Sequence, residues 1–558
     1  MKPFRLLIIP FLALFLFSLP RPIALVKISK GTPGLVDILK SYQIDVLQEL
    51  ETCFLARADR DELASLRRSG LFVSLLDRDS QGKEYFLLPL LTPARLAAIS
   101  GIGHLQPVES SLYLFWTDRG DALTLLPPDI ERKPLPRFSI LPFLRTAPSR
   151  QSLALELKVN DIIQTIIGQL NRAHLRAYVQ SLEDFETRYT STVNCEAAGE
   201  FLLNYFLSLG LEAGFEPFTF GQGIPTRNVV AEIRGQTDPE EIVIICAHYD
   251  SISTERTVRA PGADDNASGV AAVMEAARIL AAYPLDFTVR FIAFSAEEWG
   301  LYGSRYHSAA ARGSSERIIG VLNLDMIAYA DSLPEDLDVI VNDASWWMAE
   351  RAGLIAGAYT GLMVRKIVNP SFIYSDHSPF WDQGYSAFCG IEDADVNNPY
   401  YHTPGDTVDT LNFDFFEAAA KTALATLSDF AQPIRWGYPK TPSDLEAESS
   451  SYASAFTVIK NVHLAWEAVT DAAGYNVYRS TLPHLGYAKI NASPLSAANF
   501  TDRGIQADVP YYYVVTAVGP GGVEGNFSRE VESPAELPRY EQPELGRETF
   551  PTIWKWRW

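Results

Sequence analysis

Five short stretches in the middle of the chain place imidazole and carboxylate groups where they could do chemistry. His248-Tyr249-Asp250 follows the apolar run 242–247. Residues two apart in an extended segment share a face, so the Asp250 carboxylate is expected to reach the His248 imidazole. A carboxylate bonded to a ligating His fixes its tautomer and raises its basicity. Pro261-Gly262-Ala263-Asp264-Asp265-Asn266-Ala267-Ser268-Gly269 precedes a helical pattern. One Asp or Asn there would ordinarily cap the helix; two Asp and an Asn exceed that need, and a carboxylate so placed could bridge cations. Glu297-Glu298 opens another helical pattern, where acidic residues suit the helix dipole, yet one could hold a metal while the other handles protons. Asn323-Leu324-Asp325-Met326 ends an apolar strand pattern, and Tyr401-His402-Thr403-Pro404-Gly405-Asp406-Thr407 is a polar loop. Singly, each stretch has an ordinary structural reading. Together they supply two His and at least three carboxylates, a donor set suited to zinc with open coordination positions. Two such metals about 3.5–4 Å apart would form a hydrolytic site.

Groups so far apart in sequence must be gathered by regular elements. Residues 152–432 alternate helix and strand: helices over about 160–182, 196–209 and 267–283, strands over 228–233, 242–247, 288–295 and 320–324. The run 242–247 is apolar throughout, as a strand covered on both faces would be. The expectation is an α/β fold with a mainly parallel mixed sheet flanked by helices, and such sheets build sites at the carboxyl ends of their strands. Residues 25–150 read as an N-terminal α/β region, with a helix over 59–69, strands over 72–76 and 85–88, and a second helix-then-strand run over 94–108. This region carries no chemical motif and ends in a Pro-rich stretch; its position is that of a pro-region. Residues 440–535 show short alternating strands between turns, an all-β sandwich. Its strings around Trp466, Gly474-Tyr475-Asn476-Val477-Tyr478-Arg479 and Tyr511-Tyr512-Tyr513 resemble a fibronectin type III domain.

Composition narrows the partners. The 558 residues include 47 Lys plus Arg against 68 Asp plus Glu, a net charge of −21, which argues against a nucleic-acid partner. With 47% hydrophobic and 21% charged residues the chain is globular, and 4 Cys are too few for a disulfide scaffold. Residues 1–24 have the layout of a secretory signal: Lys2 and Arg5, the apolar run 6–19, then Pro20, Pro22 and Ala24. That run is shorter than the roughly 20 residues of a spanning helix. An exported protein is expected, secreted or periplasmic, with no stable membrane insertion after signal removal. The tail 536–558 ends in Trp554-Lys555-Trp556-Arg557-Trp558.

In order and content the five stretches resemble the motif series of the co-catalytic double-zinc exopeptidases. These are the bacterial leucyl aminopeptidase and glutamate carboxypeptidase type of metallopeptidase clan MH. The resemblance spans residues 152–432 and does not extend to residues 25–150. It implies a zinc exopeptidase-like fold and two zinc ions: His248 and Asp325 on one, Glu298 and His402 on the other, Asp265 bridging both. Asp250 would orient His248, and Glu297 would be the general base. Asp265 is taken because it is the second Asp of its motif; cap geometry does not separate it from Asp264. Ser375-Asp376-His377-Ser378-Pro379-Phe380 matches a further segment near such sites. Some members place an oxyanion-assisting Tyr three residues before that Ser, where this chain has Phe372, with Tyr374 out of register.

The function so implied is an exported zinc aminopeptidase acting on a peptide or protein. A carboxypeptidase of the same fold would need cations near the metals, for which Arg365 and Lys366 are candidates. A glutaminyl cyclase would use one zinc, and the full Asp264–Gly269 string with Glu297-Glu298 resembles the two-zinc enzymes more. A receptor-like binding protein would have lost ligands, whereas each expected ligand is present. The sandwich carries no catalytic candidate, so cutting after Gln432 is expected to leave hydrolysis largely intact.

Overall fold

The central strand Asp238–His248 carries Val243, Ile245 and Ala247 on one face and Ile242, Ile244 and Cys246 on the other, all buried. An element apolar on both sides must be covered on both sides. The first face packs against helices Arg172–Glu183, Val193–Ser208, Gly269–Leu280 and Phe413–Ala431 through Val179, Leu202, Val270 and Leu424. The second face packs against Tyr302–Gly313 and Ser378–Asp382 through Ala311, Phe380 and Trp381. The computed structural model describes residues 22–533 except 90, 119–125, 128–129, 145–156, 158, 222, 395–397, 454–457 and 507–508. Most of the expected leader and the whole 536–558 tail lie outside the described residues. Among these residues no helix is long and apolar enough to cross a membrane.

The sheet has eight strands in the order Val364–Val368, Leu337–Val341, Ala387–Ile391, Arg317–Leu324, Asp238–His248, Phe287–Phe294, Ile224–Ile233, Glu212–Phe220. The four strands from Ala387–Ile391 to Phe287–Phe294 run parallel, with His248 beside Phe294 and Cys246 beside Asn323. Glu212–Phe220 and Ile224–Ile233 form an antiparallel hairpin, turned through Gly221 and Gly223 in left-handed backbone. The mainly parallel α/β fold expected for residues 152–432 is the one observed.

Two helices differ from expectation. The single helix over 160–182 is two, Asp161–Ile167 and Arg172–Glu183, because Gly168 ends the first and the Asn171 side chain caps the second by accepting from the Ala173 amide. The helix over 267–283 starts at Gly269, since Asp265 and Asn266 leave helical backbone.

The N-terminal region is two small four-stranded α/β units. Asp59 and Glu62 form a capping box on helix Arg60–Arg68. Ala24, which the expected boundary assigns to the leader, begins the strand Ala24–Ser29 and pairs with Ala58. The C-terminal strands form two antiparallel sheets, with Val462, Leu464 and Trp466 of one packed on Val477, Tyr513 and Val515 of the other. That unit is rooted in the central domain: Leu482 and Leu485 join the main core, and Thr441 and Asn526 each donate to Asp286 at 2.7 Å. A cut after Gln432 would therefore take Leu482 and Leu485 out of the main core.

Candidate active site

Three adjacent parallel strands end side by side, and each delivers a site residue. Asp238–His248 ends on His248, Phe287–Phe294 leads into Glu297-Glu298, and Arg317–Leu324 leads into Asp325. Asp265 comes from the turn before helix Gly269–Leu280, and His402 from the loop before helix Phe413–Ala431. Their geometry is two-lobed. His248 Nε2 lies 3.3 Å from Asp265 Oδ1 and 3.4 Å from Asp325 Oδ1. His402 Nε2 lies 3.2 Å from Asp265 Oδ2 and 3.2 Å from Glu298 Oε2. The two oxygens of Asp265 thus face two different imidazoles, each of which has a further carboxylate. Glu297 Oε2 stands off at 4.0 Å from His248 Nε2. His248, Glu297 and Asp325 offer ligand atoms within 4.8 Å of one another, as do His248, Asp265 and Glu298.

Asp264 and Asp265, alike in sequence, part ways here. The Asp264 carboxylate accepts from the Ala328 amide and from Asn398 Nδ2, both at 2.9 Å, and is consumed in holding loops together. Asp265 alone faces the histidines. The expected role of Asp250 needs a correction. His248 Nδ1 is bonded to the backbone oxygen of Asp250 at 3.0 Å, while the Asp250 carboxylate lies 3.8 Å off, too far for a hydrogen bond. That carboxylate instead accepts from Thr190 Oγ1 at 2.7 Å and from the Glu297 amide at 3.2 Å. It thereby ties the His248 strand end to the Glu297-Glu298 turn.

Sequence reasoning missed several residues. Arg188, fully buried, donates to the carbonyls of Tyr249 and Gly262 at 2.8 Å and of Leu182 at 3.1 Å, clamping the His248 and Asp265 loops. The Asp406 carboxylate accepts from the Asp264 and Asp265 amides at 2.9 and 3.0 Å. Ser375 donates to Asp325 Oδ2 at 2.5 Å and accepts from Asn323 Nδ2 at 2.7 Å. Ser375 and Asp406 sit in quoted motifs, which was the available signal; Arg188 had none. Phe372 packs against the buried cluster of Met326, Ile340, Cys389 and Ile391. Tyr374 is packed among Leu47, Leu87 and Leu114 of the N-terminal region.

Electrostatics make the pocket a trap for cations. Burial, then the charges of Glu298, Asp376 and Asp325, push the Glu297 carboxyl well up. Burial and the neighbouring Asp265 raise Glu298 to about 7. Burial also opposes ionisation of Asp265, but hydrogen bonds from His248 and His402 overcome it and hold that carboxyl low. Burial works against charging either His, yet Glu297 and Asp325 lift His248, and Glu298 and Asp265 lift His402. Glu298 Oε1 is buried without a hydrogen-bond partner among the described residues. Crowded carboxylates, imidazoles and an unpartnered oxygen fit zinc, which takes nitrogen and oxygen donors of this kind. Arg365 is held by Asp338 at 3.4 Å and Lys366 by Glu350 at 2.8 Å.

The model of peptidase family M28 matches residues 228–427, a span that contains every residue of this cluster except Arg188 and Thr190. Among curated proteins, YfbL of Escherichia coli is 31% identical over 249 residues, covering 39% of this chain and 76% of YfbL. A "probable zinc metalloprotease" of Leptosphaeria maculans is 27% identical over 372 residues, covering 55% of this chain and 86% of that protein. A "probable leucine aminopeptidase" of Trichophyton verrucosum is 26% identical over 299 residues, covering 51% and 80%.

Proposed function

The chain belongs to peptidase family M28 and is a metallopeptidase, and from that premise we propose that it removes N-terminal residues from peptides with the help of two zinc ions. The observation that carries this reading is the Asp265 carboxylate, whose two oxygens each face a different histidine. In this reading His248 and Asp325 hold one ion, His402 and Glu298 the other, and Asp265 both. When bound, the ions would polarise the scissile carbonyl and acidify a water molecule. Glu297, left out of both ligand sets, takes the proton of the attacking water and passes it to the leaving amine. Asp250 holds the Glu297 amide, so the base is positioned by the same carboxylate that anchors the His248 strand end.

An aminopeptidase is favoured over a carboxypeptidase for two reasons. The acidic pocket suits the α-ammonium group of a peptide, and Arg365 and Lys366 are already committed to ion pairs. The likeness to a leucine aminopeptidase points the same way. The leader-like residues 1–24 support export, and the paired C-terminal sheets support a fibronectin type III-like unit. The test is a panel of short peptides, free and N-acetylated, with elemental analysis of the same preparation. Hydrolysis of the free set alone, with two zinc ions per chain, is expected. Cleavage of acetylated peptides from the C-terminus would overturn the aminopeptidase reading, and active protein without metal would overturn the zinc reading.

A further inference from the structure

The two site histidines are held differently. His248 Nδ1 is bonded to a backbone carbonyl, the usual way of fixing a ligating imidazole. His402 makes no hydrogen bond with its second ring nitrogen among the described residues. It is the more exposed of the two, at 21% against 2%, and its backbone is left-handed, φ 55°, a conformation few non-glycine residues adopt. What does touch its ring is Tyr401, stacked on it with centroids 3.8 Å apart and planes at 21°. The Tyr401 hydroxyl in turn donates to Glu131 Oε1 at 2.6 Å.

Glu131 belongs to the N-terminal region, 270 residues away in the chain. The segment that carries it is seated firmly on the catalytic domain. Lys133 pairs with Asp382 at 2.9 Å, both buried. The backbone oxygen of Arg132 is so close to the turn after Glu297-Glu298 that a Cβ on Gly300 would lie 2.9 Å from it. Ser371 accepts from the Glu51 amide at 2.7 Å and donates to Glu109 at 2.6 Å. One N-terminal segment therefore borders two of the loops that carry site residues.

We propose that Glu131 is a positioning residue of the active site: through Tyr401 it fixes the ring on which His402 rests, so the N-terminal region is a working part of the mature enzyme. The inference rests on the two-zinc reading. Its test uses the full chain and the zinc ion itself, with affinity measured by competition against a chromogenic chelator. Glu131→Ala and Tyr401→Phe should each weaken the zinc assigned to His402 and Glu298 by about 10-fold or more, the usual effect of losing an orienting partner. Glu131→Gln, whose side-chain oxygen accepts the same hydroxyl, should stay close to wild type. The double variant Glu131→Ala/Tyr401→Phe should be no worse than either single one, because both break one link. Ser371→Ala, at the same interface but off this path, should bind zinc as wild type does. Unchanged zinc affinity in Glu131→Ala would overturn the proposal, and so would equal weakening in Ser371→Ala. Tyr401→Phe, which leaves every side chain of the N-terminal region in place, decides the matter if Glu131→Ala does not fold. Wild-type protein that takes up no second zinc would defeat the two-zinc reading and this inference together, whereas two zincs with unchanged variants would defeat the inference alone.

Discussion

Glu297→Gln separates chemistry from stability, because the substitution should move them in opposite directions. Gln keeps the shape and the backbone bond to Asp250 but cannot take a proton. General acid–base catalysis contributes about 10²–10⁴-fold, roughly 2.7–5.4 kcal/mol of barrier, so turnover should fall by that factor with both zinc ions retained. Stability has the other sign. Glu297 is buried, and burial with the charges of Glu298, Asp376 and Asp325 holds its carboxyl above the ordinary range in the metal-free protein. A carboxyl raised in this way costs folding free energy once pH exceeds its unfolded value, and the cost grows as pH climbs toward the folded value. Each pKa unit by which a folded carboxyl stands above its unfolded value costs about 1.4 kcal/mol at high pH; the attraction to His248 at 4.0 Å offsets part of the burial and repulsion, leaving a net gain on the order of 1 kcal/mol for Gln. Metal-free Glu297→Gln should therefore melt above wild type at pH 8 and level with it at pH 4, by differential scanning calorimetry. Near-normal turnover with both zincs bound would refute the base assignment, and parallel melting curves at the two pH values would refute the electrostatic account.

Glu298→Gln, by contrast, should lose zinc in elemental analysis at neutral pH; a variant that keeps both ions would remove Glu298 from the ligand set. Zinc affinity should decline as pH falls below about 7, where Glu298 gains a proton and both histidines are held charged; a flat equilibrium-dialysis profile from pH 8 to 5 would contradict this. Arg188→Ala strips hydrogen bonds from the carbonyls of Tyr249, Gly262 and Leu182 and should destabilise by about 3 kcal/mol or more, read by urea denaturation, with a loss under about 1 kcal/mol counting against the clamp. Truncation after Gln432 removes Leu482 and Leu485 from the main core and should lower the melting temperature; a truncated chain that melts like the whole one would show the two units to be energetically separate.

The donor types and their order were legible in the chain, because ligand chemistry is local. A His or a pair of carboxylates at the end of an apolar run is visible without knowing what lies opposite. So was the alternation that builds the α/β sheet, since the period of apolar residues follows from which faces are covered. The break at Gly168 was not, because amphipathic spacing continues across two helices that share one face. Nor could local pattern separate Asp264 from Asp265, or assign the His248 contact to the carbonyl of Asp250 rather than its carboxylate. Those choices depend on partners such as Asn398, Ala328 and Thr190, which arrive from elsewhere in the chain. Arg188 and Glu131 lie furthest beyond a sequence reading. Each is an ordinary charged residue, and each acquires its role only when folding brings it against backbone or side chains more than sixty residues away. Side-chain chemistry is written residue by residue, whereas orientation is imposed by contacts between distant segments, and only the tertiary structure decides those.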